Sequence, residues 1–228
     1  AKGISNSTIG AIPGDYSGQW RALYDASNLY VLVEVGDATR TNDSGASWWE
    51  DDVVEIFIDG NNSKGTSYDG INDFQLGFRW NDATVHAGGN SVLNTTGINF
   101  SMYASGSGYV LEAAIPWSTI GVTPSIGSVI GFDVAVDDDD NGGTRDAQVV
   151  SIATTDAGWS NPSIFGSIYL TDCSGTPGNQ SPSANAGTDQ TLASGVSTAN
   201  LNGSGSDPDN DPVTYSWTQV SGPSATIN

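Results

Sequence analysis

The sequence predicts an all-β chain: an antiparallel β-sandwich of jelly-roll type followed by a partial Ig-like β segment. Three observations carry this. Short apolar runs alternate with polar residues at the two-residue period of a strand as far as about Leu170. Gly, Ser, Thr, Asn and Asp fill the gaps between them, as turn residues do in a many-stranded protein. No apolar pattern sustains three turns of amphipathic helix.

The alternating runs place strands at Trp20–Tyr24, Asn28–Val35, Asp52–Asp59, Asp73–Trp80, Ile98–Ala104, Gly108–Ile115, Val129–Val136, Gln148–Ala153 and Gly166–Leu170. One short helical turn is expected at Pro116–Ile120, with the proline at its start. The first domain therefore covers residues 1–171, a core large enough to need no disulfide. Residues 172–183 read DCSGTPGNQSPS, the composition of a linker. Residues 184–228 hold two or three further strands, about half of an Ig-like sandwich of roughly 100 residues. The chain begins at Ala1 rather than Met and is expected to come from a longer polypeptide.

Composition excludes some partners. Six Lys and Arg face twenty-six Asp and Glu, a net charge of −20. Such a surface repels nucleic acid and anionic membranes, because phosphate binding is driven by basic side chains releasing counterions. It suits calcium-rich or saline surroundings, where carboxylates are metallated or screened. No stretch approaches the ~20 apolar residues of a membrane-spanning helix. Cys173 is the single cysteine, so no internal bridge forms, and no basic neighbour in sequence lowers its thiol pKa.

Alternation sorts the two strands that carry the most polar chemistry. Phe74, Leu76, Phe78 and Trp80 point one way, and Asp73, Gln75, Gly77 and Arg79 the other. Val54, Ile56 and Ile58 share one side of the preceding strand, opposite Val53, Glu55 and Phe57. If the two strands pair, Glu55, Gln75 and Arg79 share a polar face. An acceptor, an amide and a guanidinium suit bidentate hydrogen bonds to vicinal hydroxyls; an ordinary solvated face with a Glu–Arg pair is the alternative. Trp48, Trp49 and Trp159 lie in polar loop contexts, where a flat indole can stack on a sugar ring. Neighbours in an extended segment face opposite ways, so one of Trp48 and Trp49 is expected to be structural.

Three acidic groups are candidate calcium sites, since calcium takes six to eight oxygens. One is Asp59 and Asn61 with Asp69 and Asp73. Another is Asp37 with Asp43, Asp51 and Asp52. The last is the run Asp137–Asp140 with Asn141 and Asp146, where Asp137 and Asp139 are the ligands expected. None has the spacing of an EF-hand.

In order along the chain, WWEDDVVEIFIDGNN, YDGINDFQLGFRWND, GYVLEAAIPWSTIG, GFDVAVDDDDNGG and GWSNPSIFGSIYL resemble family 9 carbohydrate-binding modules over about Gln19 to Leu170. The resemblance implies a β-sandwich with structural calcium, and two tryptophans clamping the terminal residue of a glucan or xylan chain. By motif position these are Trp49 and Trp159, with Glu55 and Gln75 at polar ligand positions and Asp156 as a further polar contact. Where the family pattern runs Gln–x–Arg–x–Asn, this chain reads Gln75-Leu76-Gly77-Phe78-Arg79, which leaves open an arginine moved along the face or a different sugar. By the same resemblance the opening strand region of the module lies before Ala1. The tail resembles a PKD-type or related Ig-like spacer repeat of secreted multimodular polysaccharide-degrading enzymes. Together these imply polysaccharide or oligosaccharide binding without catalysis, in a secreted bacterial protein of saline habit with a covalently linked catalytic domain.

Two other functions are weighed. Part of a glycoside hydrolase catalytic region needs two carboxylates across a cleft, and nothing in the sequence singles out a pair. A haem-binding sandwich needs axial ligands such as His86 with Met102, one residue of each type.

Overall fold

A computed structural model describes residues 1–172, 182–207 and 213–226, and the chain forms two compact units, Ala1–Leu170 and Thr171–Asn228. Cys173 and most of the expected linker lie outside the described residues.

The first unit is an antiparallel sandwich of two sheets. It opens with β1 (Lys2–Gly3) and β2 (Asn6–Ile9), then β3 (Ser17–Tyr24), β4 (Asn28–Gly36), β5 (Val53–Asp59), β6 (Asp73–Arg79) and β7 (Val85–Ala87). It continues with β8 (Asn99–Ser105), β9 (Gly108–Pro116), the one-turn helix α1 (Trp117–Ile120), β10 (Val129–Asp138), β11 (Ala147–Val150) and β12 (Gly166–Tyr169). One sheet has the order β1-β3-β4-β9-β8. The other runs β2-β11-β10-β5-β6-β7, with β12 also on β10.

The two-residue period builds the core. Leu29, Val31, Val33 and Val35 of one sheet meet Val54, Ile56 and Ile58, Phe74, Leu76 and Phe78, and Ile130, Phe132 and Val134 of the other. Because β5 is buried along its whole length and β10 from Ile130 onward, the outer face of the seven-stranded sheet must also be covered. A smaller cluster of Phe57, Ala135, Val150, Ala153 and Phe165 does this beneath the loop before β12.

Pro116 precedes α1 and Gly121 closes it with φ of 69°, the left-handed cap that favours glycine. The strand expected at Gln148–Ala153 stops at Val150. Beyond it the chain bends so that the backbone N–H groups of Ile152 and Ala153 donate to the buried Asp133 carboxylate at 3.1 and 2.8 Å. In the second unit β13 (Ser183–Asn185) pairs antiparallel with β14 (Ser204–Ser206), and the described residues around them are almost all exposed.

Candidate functional site

Strand register lays out the outer face of the seven-stranded sheet in rows. Asp137, Val53 and Arg79 stand side by side, then Ala135, Glu55, Gly77 and His86, then Asp133, Phe57 and Gln75. Two loops rise over this face and leave a cleft of about 540 Å3. Trp49 and Trp159 line it together with Glu55, Gln75, Gln148, Arg145 and Asp156. Trp49 is 40% exposed and Trp159 53%, which is unusual for tryptophan and leaves an indole free on each loop.

The first loop, residues 38–52, is held by side chains that the sheet presents to it. Asp51 accepts from the backbone N–H of Asp43 and Ser44 at 3.0 and 2.9 Å. Arg79 donates to the Gly45 carbonyl at 2.7 Å and to Asp51 at 3.1 Å, and pairs with Asp82 at 2.6 Å. Arg79 is therefore a staple for this loop and does not line the cleft, contrary to the expectation that it shares a ligand face with Glu55 and Gln75. It stands one row away from Glu55 and leans toward two carboxylates. Those backbone donors and Arg79 hold the Asp51 carboxyl below its ordinary value despite burial, and Arg79, Thr84 and His86 do the same for Asp82.

Trp48 fixes the height of Trp49. It is buried, stacks on His86 at 5.4 Å and meets Trp49 edge-on at 5.7 Å. The room for it comes from Gly77, where a Cβ would lie 2.2 Å from Trp48 Cζ3. His86 is thus engaged by Asp82 and Trp48 on the seven-stranded sheet, while Met102 lies on β8 in the other sheet, so the two are not placed as a pair of axial ligands.

The second loop carries Trp159 in a 3-10 turn, Ala157–Trp159. Tyr68 Oη donates to the Gly158 carbonyl at 2.7 Å, and Asn90 Nδ2 to the Trp159 carbonyl at 3.2 Å. Gly158 packs over the Phe57 ring, with a Cβ position 3.2 Å from Phe57 Cζ. Asp156 lies exposed at the start of this turn.

The floor is a hydrogen-bonded network that leaves Asp137 Oδ2 buried without a partner. Gln75 Nε2 donates to Glu55 Oε2. Gln148 Nε2 donates to Glu55 Oε1 at 3.3 Å and to Asp137 Oδ1 at 3.0 Å, and Thr8 donates to Gln148 Oε1 at 2.8 Å. Arg145 Nη1 donates to Asp137 Oδ1 at 2.9 Å, with Glu55 at 3.9 Å. Arg145 and Gln148 were missed in the sequence. Arg145 follows the acidic run in a glycine-rich loop and is placed by its bond to Asp137, while register with Asp137 of β10 turns Gln148 toward the cleft.

The acidic residues divide differently from their order in sequence. Asp37, Asp52 and Asp138 bring carboxylate oxygens within 4.8 Å of one another, all buried, and Asp43, Asp51 and Asp139 do the same beside them. Asp37 Oδ2 and Asp138 Oδ2 are buried with no hydrogen-bond partner. Burial, then neighbouring carboxylates, pushes Asp52 up to about 8 and Asp138 to about 7. Three crowded buried carboxylates, two of them with an orphaned oxygen, are a donor set for a hard cation. Asp137 does not join them: adjacent strand residues point to opposite faces, so it lies under the cleft while Asp138 turns away. In the group Asp59, Asn61, Asp69 and Asp73, register sets Asp59 beside Asp73, whose Oδ1 is buried without a hydrogen-bond partner, and burial and then the Asp69 and Asp59 carboxylates raise Asp73 to about 6. Asp59 accepts from the N–H of Ser63 and Lys64, Asn61 from Ser63, Asp69 from Ile71 and Asn72, and Asp73 from Asp69, so they cap their own turns.

The family described as carbohydrate family 9 binding domain-like matches residues 4–173, and that described as K319L-like, PKD domain matches residues 186–228. The chain is 37% identical over 151 residues to endo-1,4-beta-xylanase A of Thermoanaerobacterium saccharolyticum, which covers 66% of this chain and 12% of that protein. It is also 37% identical over 151 residues to exoglucanase XynX of Acetivibrio thermocellus, again 66% of this chain and 13% of the relative. The chain thus matches about an eighth of the length of these relatives. A solved family 9 module from Caldicellulosiruptor kristjanssonii, in complex with cellotriose, aligns with a TM-score of 0.62 at 26% identity over 77% of this chain and 89% of that one. Its complex with glucose aligns with the same TM-score over 73% of this chain and 84% of that one.

Proposed function

The chain belongs to the family 9 carbohydrate-binding modules over residues 4–173, and from that premise we propose that its cleft closes on the end of a β-glucan or xylan chain. The module binds carbohydrate and is not the catalytic part of its parent protein. One observation carries the finer reading: Trp49 and Trp159, on separate loops, both stay exposed above a floor of buried amides and carboxylates. A pyranose has apolar C–H faces and a rim of hydroxyls. Its faces suit the two indoles, and its rim suits groups that both donate and accept. Glu55, Gln75 and Gln148 are already fixed by their mutual hydrogen bonds, so binding need not order them. Arg145 takes the part of the cationic donor that Arg79 was expected to play.

Titration with cellotriose and xylotriose tests the clamp. Trp49→Ala and Trp159→Ala are each expected to weaken binding by about tenfold or more, a loss of ~1.4 kcal/mol. The double variant should lose less than the sum, because one jaw alone no longer excludes water from the floor. Undiminished affinity in both single variants, with unchanged melting, would place the sugar elsewhere.

The same proposal includes structural calcium. Asp37, Asp52 and Asp138 would hold one ion, and Asp43, Asp51 and Asp139 are a second donor set. The ion would supply positive charge to Asp37 and Asp138, each of which buries an oxygen that has no donor. The parent protein is proposed to be a secreted polysaccharide-degrading enzyme that this module delivers to its substrate. The xylanase and the exoglucanase that share this stretch of sequence support that reading.

A further inference from the structure

Trp159 stands 53% exposed on a stretch between β11 and β12 that contains only two 3-10 turns, Ala157–Trp159 and Pro162–Ile164. A loop of that length explores many conformations unless it is tethered, and an indole that must be ordered on binding gives up part of its stacking energy. The tethers of this loop therefore bear on sugar affinity as well as on stability.

The loop is tied at three places. At its start Asp133 accepts from the N–H of Ile152 and Ala153, and Asn6 Nδ2 donates to the Ile152 and Ala153 carbonyls at 3.2 and 3.1 Å. In its middle Tyr68 Oη donates to the carbonyl of Gly158, the residue before Trp159, and the Tyr68 ring meets Phe165 edge-on at 6.5 Å. At its end Lys64 Nζ donates to the Phe165 and Gly166 carbonyls at 2.6 and 2.8 Å. The last two ties come from one segment, the connection between β5 and β6. Neither Lys64 nor Tyr68 lines the cleft.

That connection is itself held in place. Asp59 accepts from the N–H of Ser63 and Lys64, Asp73 from that of Asp69, and the Gly60 N–H reaches the Asn72 carbonyl at 2.9 Å. Asp59 and Asp73 stand side by side on β5 and β6, so both ends of the connection rest on one strand pair. Lys64 has φ of 56°, in the left-handed region that disfavours most side chains. A glycine there would suit the backbone better, yet it would leave the two carbonyls without their ammonium. On a chain with six basic residues and twenty-six acidic ones, this ammonium is bonded to two carbonyls of the Trp159 loop. A disfavoured backbone kept at a residue with such a bond points to a role for the bond.

We propose that Lys64 and Tyr68 are positioning residues: the β5–β6 connection is a strut that holds Trp159 over the cleft and sets sugar affinity without touching sugar. The inference rests on the clamp proposed above, and its experiment separates the two. Tyr68→Phe removes one hydroxyl and keeps the ring on Phe165, while Lys64→Gly removes the ammonium and suits the φ of 56°. In the sugar-free full chain, the heteronuclear NOE of the Trp159 indole N–H is expected to fall in each variant and furthest in the pair. Cellotriose should bind the pair about tenfold more weakly. In a Trp159→Ala background the same pair should change affinity by less than about twofold, because the jaw it holds is gone. A merely structural contribution would lower affinity equally in both backgrounds. That result overturns the proposal, as does an undiminished indole NOE or an unchanged affinity in the pair. Should Lys64→Gly fail to fold, Tyr68→Phe carries the same comparison alone, at about threefold. If Trp159→Ala itself leaves cellotriose affinity whole, the clamp reading falls, and the indole NOE alone then decides whether the strut holds Trp159.

Discussion

Arg145, to which sequence reading gives no role, takes the place in the cleft expected of Arg79. Alternation puts Arg79 on the correct face of β6, yet it cannot say which neighbour a long side chain reaches, and Arg79 reaches Asp51 and Asp82. Arg79→Ala should leave the buried Asp51 without its cation and cost about 3 kcal/mol of stability, readable by denaturant titration. Arg145→Gln should weaken sugar binding by about tenfold and lower melting as well, because it takes the cation from buried Asp137. The tryptophans were more legible, because loop indoles among polar residues stand out against strand alternation. The acidic residues also carry a pH signature. In the metal-free protein Asp52 is raised to about 8 and Asp138 to about 7, by burial first and then by neighbouring carboxylates. The folded state then holds protons that the unfolded chain releases near ordinary carboxylate values, so metal-free stability falls as pH rises from about 4 to about 8. Calcium must displace those protons, and its stabilisation should grow over the same span. The melting difference between calcium and chelator is expected to be larger at about pH 8 than at about pH 5.5.

At the scale of elements, the long strands were readable and the short ones were not. β3 to β6 and β8 to β10 carry enough alternation to show themselves. β1, β2 and β7 have two to four residues each, too few to show a period, and exist because an adjacent strand offers them a ladder. The loop before β5 was legible only as a place for tryptophans. Its conformation depends on Gly77, twenty-nine residues beyond Trp48 in sequence and in direct contact with it. Gly77→Ala would put a methyl where the Trp48 ring now lies. We expect lower stability together with weaker sugar binding, because Trp49 moves with Trp48. Trp48→Ala leaves a cavity under the same loop and should cost about 3–5 kcal/mol. Calorimetry on both variants, with trisaccharide titration, checks the pairing of the two effects.

For the whole molecule, the sandwich follows from composition and period, while the proposed cation sites depend on residues that only folding collects. Asp37, Asp52 and Asp138 come from three separate segments. If calcium binds the folded state alone, a hundredfold excess over its Kd adds about 2.7 kcal/mol. Identical melting with calcium and with chelator at low salt would reject the metal sites. The second unit behaves otherwise. Its described residues bury little, and one pair of three-residue strands is marginal in water. A fragment of residues 182–228 should therefore show no cooperative transition by circular dichroism.

The aspartate run at the end of β10 has a further consequence. A strand that slips by one residue exchanges its two faces, which ordinarily ruins both. Here positions 137 to 140 are identical, so whichever register the strand end adopts, one carboxylate looks into the cleft and the next looks away. The repeat is a form of insurance against insertion and deletion. Losing a single aspartate shortens the loop to Arg145 but leaves both faces their acid, whereas losing one residue from Phe132 to Val136 would turn the core inside out.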